Sequence, residues 1–268
     1  MFGGSMRIIL MLLVSTSVHA TMGTQSKNAN LLAVGQGISS PTATSTINFS
    51  SGYTSESPLG TIYQNGFRIT GEYDSNDATN AYGVEAGYGH GDWGVAAGHR
   101  KIDCTSCEGT TSAAVGITVL DFGAGLRFGK DLTAVALLVN PHGSHRLGFM
   151  AEVNSAAGSG QKVTAYGLGY SFVAAQFTFT LDASQRNFEN NAITDNRMQV
   201  TPGVMLRADI FQLTVNDKIT LNKDGNNPTQ NDKDHDLWFG VGLGSDKWHL
   251  AFYSHYVNDF AFAGTLFF

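Results

Sequence analysis

Hydrophobic and polar residues alternate one by one along much of the chain. Tyr82, Val84, Ala86 and Tyr88 are separated by Gly83, Glu85 and Gly87. Phe177, Phe179 and Leu181 interleave with Gln176, Thr178, Thr180 and Asp182, and Phe211, Leu213 and Val215 with Gln212, Thr214 and Asn216. A period of two puts the two sets on opposite faces of a β-strand. No helical pattern of comparable quality follows residue 20. Tight hairpins are predicted at His90-Gly91-Asp92, Gly129-Lys130-Asp131 and Gly244-Ser245-Asp246, and longer polar loops at 103–112, 186–196 and 222–236. Tight turns on one side and polar loops on the other predict an all-β fold, a transmembrane antiparallel up-and-down barrel over residues 61–268. At roughly 15 to 20 residues per strand with its connection, that length gives about 12 strands in a range of about 10 to 14. The upper value would follow if the segment around Ile47 and Phe49 is also a strand.

Composition narrows the class. Of 268 residues 42% are apolar and only 14% charged, with 32 glycines, where an average soluble domain has about a quarter charged residues. Sixteen basic residues in a chain of net charge -6 give no electrostatic footprint for nucleic acid. No apolar run reaches the ~18 residues that a membrane-crossing helix needs. In lipid, a chain without such helices pairs all its backbone amides only as a closed barrel. Residues 1–20 read as a signal peptide, with Arg7 as its positive start, Ile8 to Val14 as its apolar core and Val18-His19-Ala20 as its cleavage pattern. Residues 21–60, rich in Ser, Thr, Gly and Asn, read as a polar N-terminal segment, either a plug or a first strand.

The last segment is the most specific. Phe260, Phe262, Gly264, Leu266 and Phe268 share one face, with Ala261, Ala263 and Thr265 on the other. It resembles the C-terminal signal of outer-membrane barrels, in which Phe260, Phe262, Leu266 and Phe268 would be read by the barrel insertion machinery. The expected location is therefore the bacterial outer membrane, with its lipids and that machinery as partners. Trp93, Tyr82, Tyr88, Tyr166, Tyr170, Trp238 and Trp248 lie near proposed strand ends, where aromatic girdles form. By alternation Glu85, Arg127, Glu152, Asp182 and Arg207 point into the lumen, charges of both signs that suggest internal pairing. Gly167, Gly169, Gly240, Gly242 and Gly244 would present bare backbone there, leaving room for water, a plug or a substrate, or simply easing curvature.

A signal peptide, a polar segment of some forty residues, a Gly-rich barrel with Asp- and Arg-bearing strands and a terminal Phe together resemble the outer-membrane long-chain fatty acid transporters (FadL-like proteins). Of that family's Asn-Pro-Ala signature, Thr46-Ile47-Asn48-Phe49 keeps the Asn. The resemblance implies a channel or transporter for small, hydrophobic molecules, without cofactor. A structural or surface-interaction barrel is the alternative. The third reading is a lipid hydrolase, because His142-Gly143-Ser144 has the spacing that puts a base and a nucleophile on one strand face. That triplet follows Asn140-Pro141, a turn signal, so the expectation is a protein that is not an enzyme. Cys104 and Cys107 are expected to form a loop disulfide in an oxidising compartment. The Asp-rich stretch 222–236 reads as a solvated loop, and no metal site is expected.

Overall fold

The computed structural model describes residues 65–75, 80–90, 93–103, 109–140, 143–156, 161–190, 193–225, 235–245, 247–255 and 259–268. The signal peptide, the polar segment 21–60 and the Ile47 region lie outside the described residues, as do Cys104, Cys107, His142 and the loop 226–234. Fourteen strands are described: β1 (Asn65–Ser75), β2 (Asn80–His90), β3 (Trp93–Ile102), β4 (Thr110–Val119), β5 (Phe122–Gly129), β6 (Leu132–Val139), β7 (His145–Ala156), β8 (Gln161–Ala174), β9 (Phe177–Asn190), β10 (Ile193–Ala208), β11 (Phe211–Gly225), β12 (His235–Gly244), β13 (Trp248–His255) and β14 (Asp259–Phe267). Each pairs with its neighbours in sequence, and β1 pairs with β14 to close the barrel.

The all-β antiparallel barrel expected from alternation is what the chain forms. Fourteen strands are described, at the upper end of the expected range and above its centre of 12, and all of them lie outside the Ile47 region. The shortfall comes from two-residue connections without glycine, such as Leu120-Asp121, Ala175-Gln176 and Asp209-Ile210. Their first residues take φ of 52°, 50° and 53°, the backbone that Gly usually supplies at this place in a hairpin turn. The stretch 186–196 is not a loop either. It is the top of β9 and β10, joined by residues 191–192 alone.

One end of the barrel carries the connections 91–92, 120–121, 140–144, 175–176, 209–210 and 245–247; the other carries 76–79, 103–109, 130–131, 157–160, 191–192, 226–234 and 256–258. The Lys130-Asp131 hairpin thus sits at the end of the longer loops, as does the two-residue connection 191–192. On the outward face Phe177, Phe179, Leu181, Tyr166, Leu168 and Tyr170 are exposed, and so are Phe260, Phe262, Leu266 and Phe268. This is the arrangement a hydrocarbon solvent requires, since backbone amides are paired around the ring and a belt of apolar side chains projects outward.

The seam is held at three levels. Phe268 donates its N–H to Phe67 O (2.8 Å) and accepts from Phe67 N (3.2 Å), which brings their rings to 6.1 Å. Inside, the Thr70 and Thr265 hydroxyls meet at 3.0 Å, and Tyr73 and Phe260 stand 6.1 Å apart outside. Gly66 at φ 124° makes the bottom of the seam possible, because a Cβ there would lie 2.7 Å from Phe268 O.

Candidate functional site

The inward face is polar. Among the described residues 19 buried side chains are polar or charged against 11 hydrophobic, and six of the latter are alanines. The five charged residues assigned to the lumen from sequence, Glu85, Arg127, Glu152, Asp182 and Arg207, all lie on strand faces opposite the exposed apolar set.

Three of these charges belong to one structure. The pairs Arg127↔Ala134, Ala134↔Glu152, Glu152↔Ala165, Ala165↔Arg186 and Arg186↔Arg197 form a continuous cross-strand row from β5 to β10. From Arg127 to Arg186 the charged side chains alternate with alanines, which leaves them room to lie along the wall, and Arg186 and Arg197 stand side by side at the end. At one end, Arg127 reaches back over β4 and β3 to form an ion pair with Glu85 on β2, and its Nη1 donates to Ser112 Oγ at 3.2 Å. The path is floored by small residues: Ala114 faces Arg127, Ala96 faces Ala114, and Gly98 faces Glu85. A Cβ on Gly98 would meet the Glu85 Cβ and Cγ at 3.3 and 3.4 Å. At the other end Arg197 Nε donates to Asp195 Oδ1 at 2.8 Å on the same strand. Asp182 lies off the row, facing Gly169 on β8 and Thr201 on β10.

A different grouping occupies the short-turn end. Arg207 on β10 faces Gln212 on β11, and the row continues through Gly242, Ala251 and Ala263 on β12, β13 and β14. The Arg207 guanidinium lies along its own strand, with Nη2 3.6 Å from Met205 Sδ. Arg146, whose Nε donates to Gly143 O at 3.0 Å, belongs to the same end of the barrel. Gln212 is 1% exposed, yet neither its Nε2 nor its Oε1 has a hydrogen-bond partner among the described residues. The same holds for Thr214 Oγ1, one inward step along β11. Trp238 is inward and 2% exposed, so it is not part of an interfacial girdle. It faces Asn216, and its neighbours Leu237 and Phe239 take the outward positions.

Sequence reasoning passed over Arg146, Asp195, Arg186, Arg197, Gln212 and Thr214 as candidates. The alternation of Gln212 and Thr214 with Phe211, Leu213 and Val215 already placed them inward. Arg186, Asp195 and Arg197 were hidden by the polarity of 186–196, which reads as a loop because both faces are polar there. Ser144 is exposed in the 140–144 connection and precedes β7, so it is not on a strand face.

No protein-family model matches the sequence, and no curated protein is significantly similar to it. Solved structures do resemble the fold. A monoaromatic hydrocarbon channel, CymD, superposes with a TM-score of 0.52 at 11% identity, over 82% of this chain and 93% of that one. OmpT, an outer-membrane protein of Vibrio cholerae, gives 0.45 at 8% identity over 75% and 97% of the two chains. An anion-selective porin from Comamonas acidovorans gives 0.42 at 9% identity over 75% and 97%. Of these three, CymD superposes well enough to bear on the fold, and what it shares with this chain is the outer-membrane β-barrel architecture.

Proposed function

We propose that this protein is a bacterial outer-membrane channel for small molecules, with hydrophobic or amphiphilic compounds as the class transported. The observation that supports the channel is the charged row from Arg127 to Arg197 inside a closed barrel. Charges of both signs are rare in a hydrophobic core, where each costs several kcal/mol to bury, and are usual on the polar interior wall of an outer-membrane barrel. The bare strip along Gly240, Gly242 and Gly244, with Trp238 above it, gives a greasy compound a place on the wall beyond Gln212 and Thr214. Sharing a fold with a hydrocarbon channel is consistent with that class. Kinship with the long-chain fatty acid transporters belongs to the proposal and is carried by the sequence resemblance alone.

In this reading the short-turn end faces the periplasm. Phe260, Phe262, Leu266 and Phe268 form the insertion signal, and residues 21–60 restrict the lumen. Liposomes containing the purified protein should take up fatty acid or toluene faster than protein-free ones, with glucose lagging. A barrel that passes none of the three is structural. That second reading has its own support in β9 and β10, whose outward tops carry Gln185, Asn187, Glu189, Thr194 and Asn196 as a polar surface. Lipid turnover abolished by Ser144→Ala would instead establish the hydrolase.

A further inference from the structure

A buried amide with both its donor and its acceptor unmatched is unusual, because each such atom forfeits the hydrogen bond it makes to water in the unfolded chain. Gln212 is in that state on the inward face of β11, and Thr214 Oγ1 repeats it one inward step further along. Both belong to a sharply divided surface. On one side of Gln212 stands Arg207 with its positive charge; on the other side the row runs through Gly242, Ala251 and Ala263, which project almost nothing. Thr214 is placed in the same way, between Met205 and Gly240. Trp238, 2% exposed on the inward face, bounds the smooth patch on the side away from the short turns.

Resting on the channel reading above, we propose that this wall binds small organic carboxylates, the carboxylate between Arg207 and Gln212 and the carbon skeleton over Gly240, Gly242 and Ala251 beside Trp238. The chemistry of each position favours that class. A guanidinium and an amide N–H present donors to the two oxygens of a planar carboxylate, and the Thr214 hydroxyl can supply another. The Gln212 Oε1 accepts from a hydroxyl or a protonated acid. The glycines and alanines offer flat apolar backbone, which suits a ring or a short chain and gives a fully hydrated ion no polar partner. A neutral hydrocarbon would leave Gln212 and Thr214 unmatched, and inorganic phosphate would leave the smooth patch and Trp238 uncovered.

Titration calorimetry on the detergent-purified full chain, with benzoate as the probe and toluene and inorganic phosphate as comparison arms, tests this. Benzoate should bind at one site, at least tenfold more tightly than either comparison compound. Gln212→Leu should weaken benzoate at least tenfold, with β-rich circular dichroism and heat-modifiable gel migration retained. Should Gln212→Leu fail to fold, Thr214→Val removes a hydroxyl with little change of shape and should weaken benzoate about fivefold. The proposal is overturned if the protein does not bind benzoate, if phosphate or toluene binds as well, or if the folded variant keeps wild-type affinity. Planar-bilayer conductance of the same preparation judges the channel separately. A conducting barrel indifferent to benzoate keeps the channel and loses the site, and a benzoate-binding barrel that never conducts does the reverse.

Discussion

The two sides of this barrel solve the same membrane problem with different materials. From β7 to β11 the inward positions carry Arg146, Glu152, Asp182, Arg186, Asp195, Arg197 and Arg207, and β8 to β11 run 14, 14, 16 and 15 residues. From β2 to β6 the inward positions are mainly Gly and Ala, and β5 and β6 have 8 residues each. At about 3.3 Å per residue and a tilt near 40°, six additional residues lift the tall wall about 15 Å above the low one. The difference shows that strand length and lumen filling vary around one ring while the outward apolar belt does not. Phe179 on the tall wall and Val119 on the low one are both exposed apolar residues at the short-turn side of their strands.

The low wall is spanned by a long-range ion pair, and breaking that pair should have the largest effect. Glu85→Ala leaves the Arg127 guanidinium buried over Ala96 and Ala114 without this carboxylate, although the bond to Ser112 Oγ persists, and should cost about 3–5 kcal/mol. Asp195→Ala should cost less, because its partner Arg197 is on the same strand near the loop end. Urea unfolding in lipid vesicles compares the two, and equal losses would erase the distinction between the walls.

The height of the tall wall can be tested on one strand. Leu181 and Asn187 both point outward from β9, six residues apart, but Leu181 lies in the apolar belt and Asn187 above it. Leu181→Arg should destabilise by about 2–4 kcal/mol and Asn187→Arg by about 0.5 kcal/mol or less in the same vesicles. Similar penalties at both positions would place the bilayer higher than the side chains indicate.

Close approach should be felt more on the low wall. A Cβ on Gly129, at the end of β5, would lie 2.6 Å from Thr111 O, whereas one on Gly71 of β1 meets nothing within 4 Å. Gly129→Ala should lower stability by about 1–3 kcal/mol, while Gly71→Ala should be neutral or slightly stabilising. Heat-modifiable migration as a function of temperature reads both.

Wherever one face met lipid, the architecture was legible in the sequence. The Phe260 to Phe268 strand and the Tyr166-Gly167-Leu168-Gly169-Tyr170 segment show their direction by alternation, since apolar and small or polar residues take strict turns. The same signal disappears where β9 and β10 rise above the belt and both faces are polar, which is why 186–196 reads as a loop. Trp238 shows the limit from the other side: position near a strand end suggests a girdle, but its neighbours Leu237 and Phe239 already fix it inward. The inward charges can be read off singly, but not their partners. Glu85 and Arg127 are 42 residues apart, and only the order of strands around the ring brings them together.

The turns concern both walls equally, and they carry the smallest predicted effect. Leu120 closes a hairpin on the low wall and Ala175 one on the tall wall, with φ of 52° and 50°. A non-glycine residue in that region costs about 1–2 kcal/mol, and glycine returns about 0.5–1 kcal/mol of this as unfolded-chain entropy. Leu120→Gly and Ala175→Gly should therefore each stabilise the barrel by about 0.5 kcal/mol, because neither side chain is packed in the interior: Leu120 is exposed and Ala175 sits in the turn. Asp209→Gly should gain less, since Asp tolerates this backbone better. Asn140→Gly should instead lose stability, because the Asn140 side-chain amide donates to His145 O at 2.7 Å. Equal gains at Leu120 and Ala175 in urea unfolding would locate the difference between the walls above the turns; a gain on one side alone would show that it begins at the turns themselves.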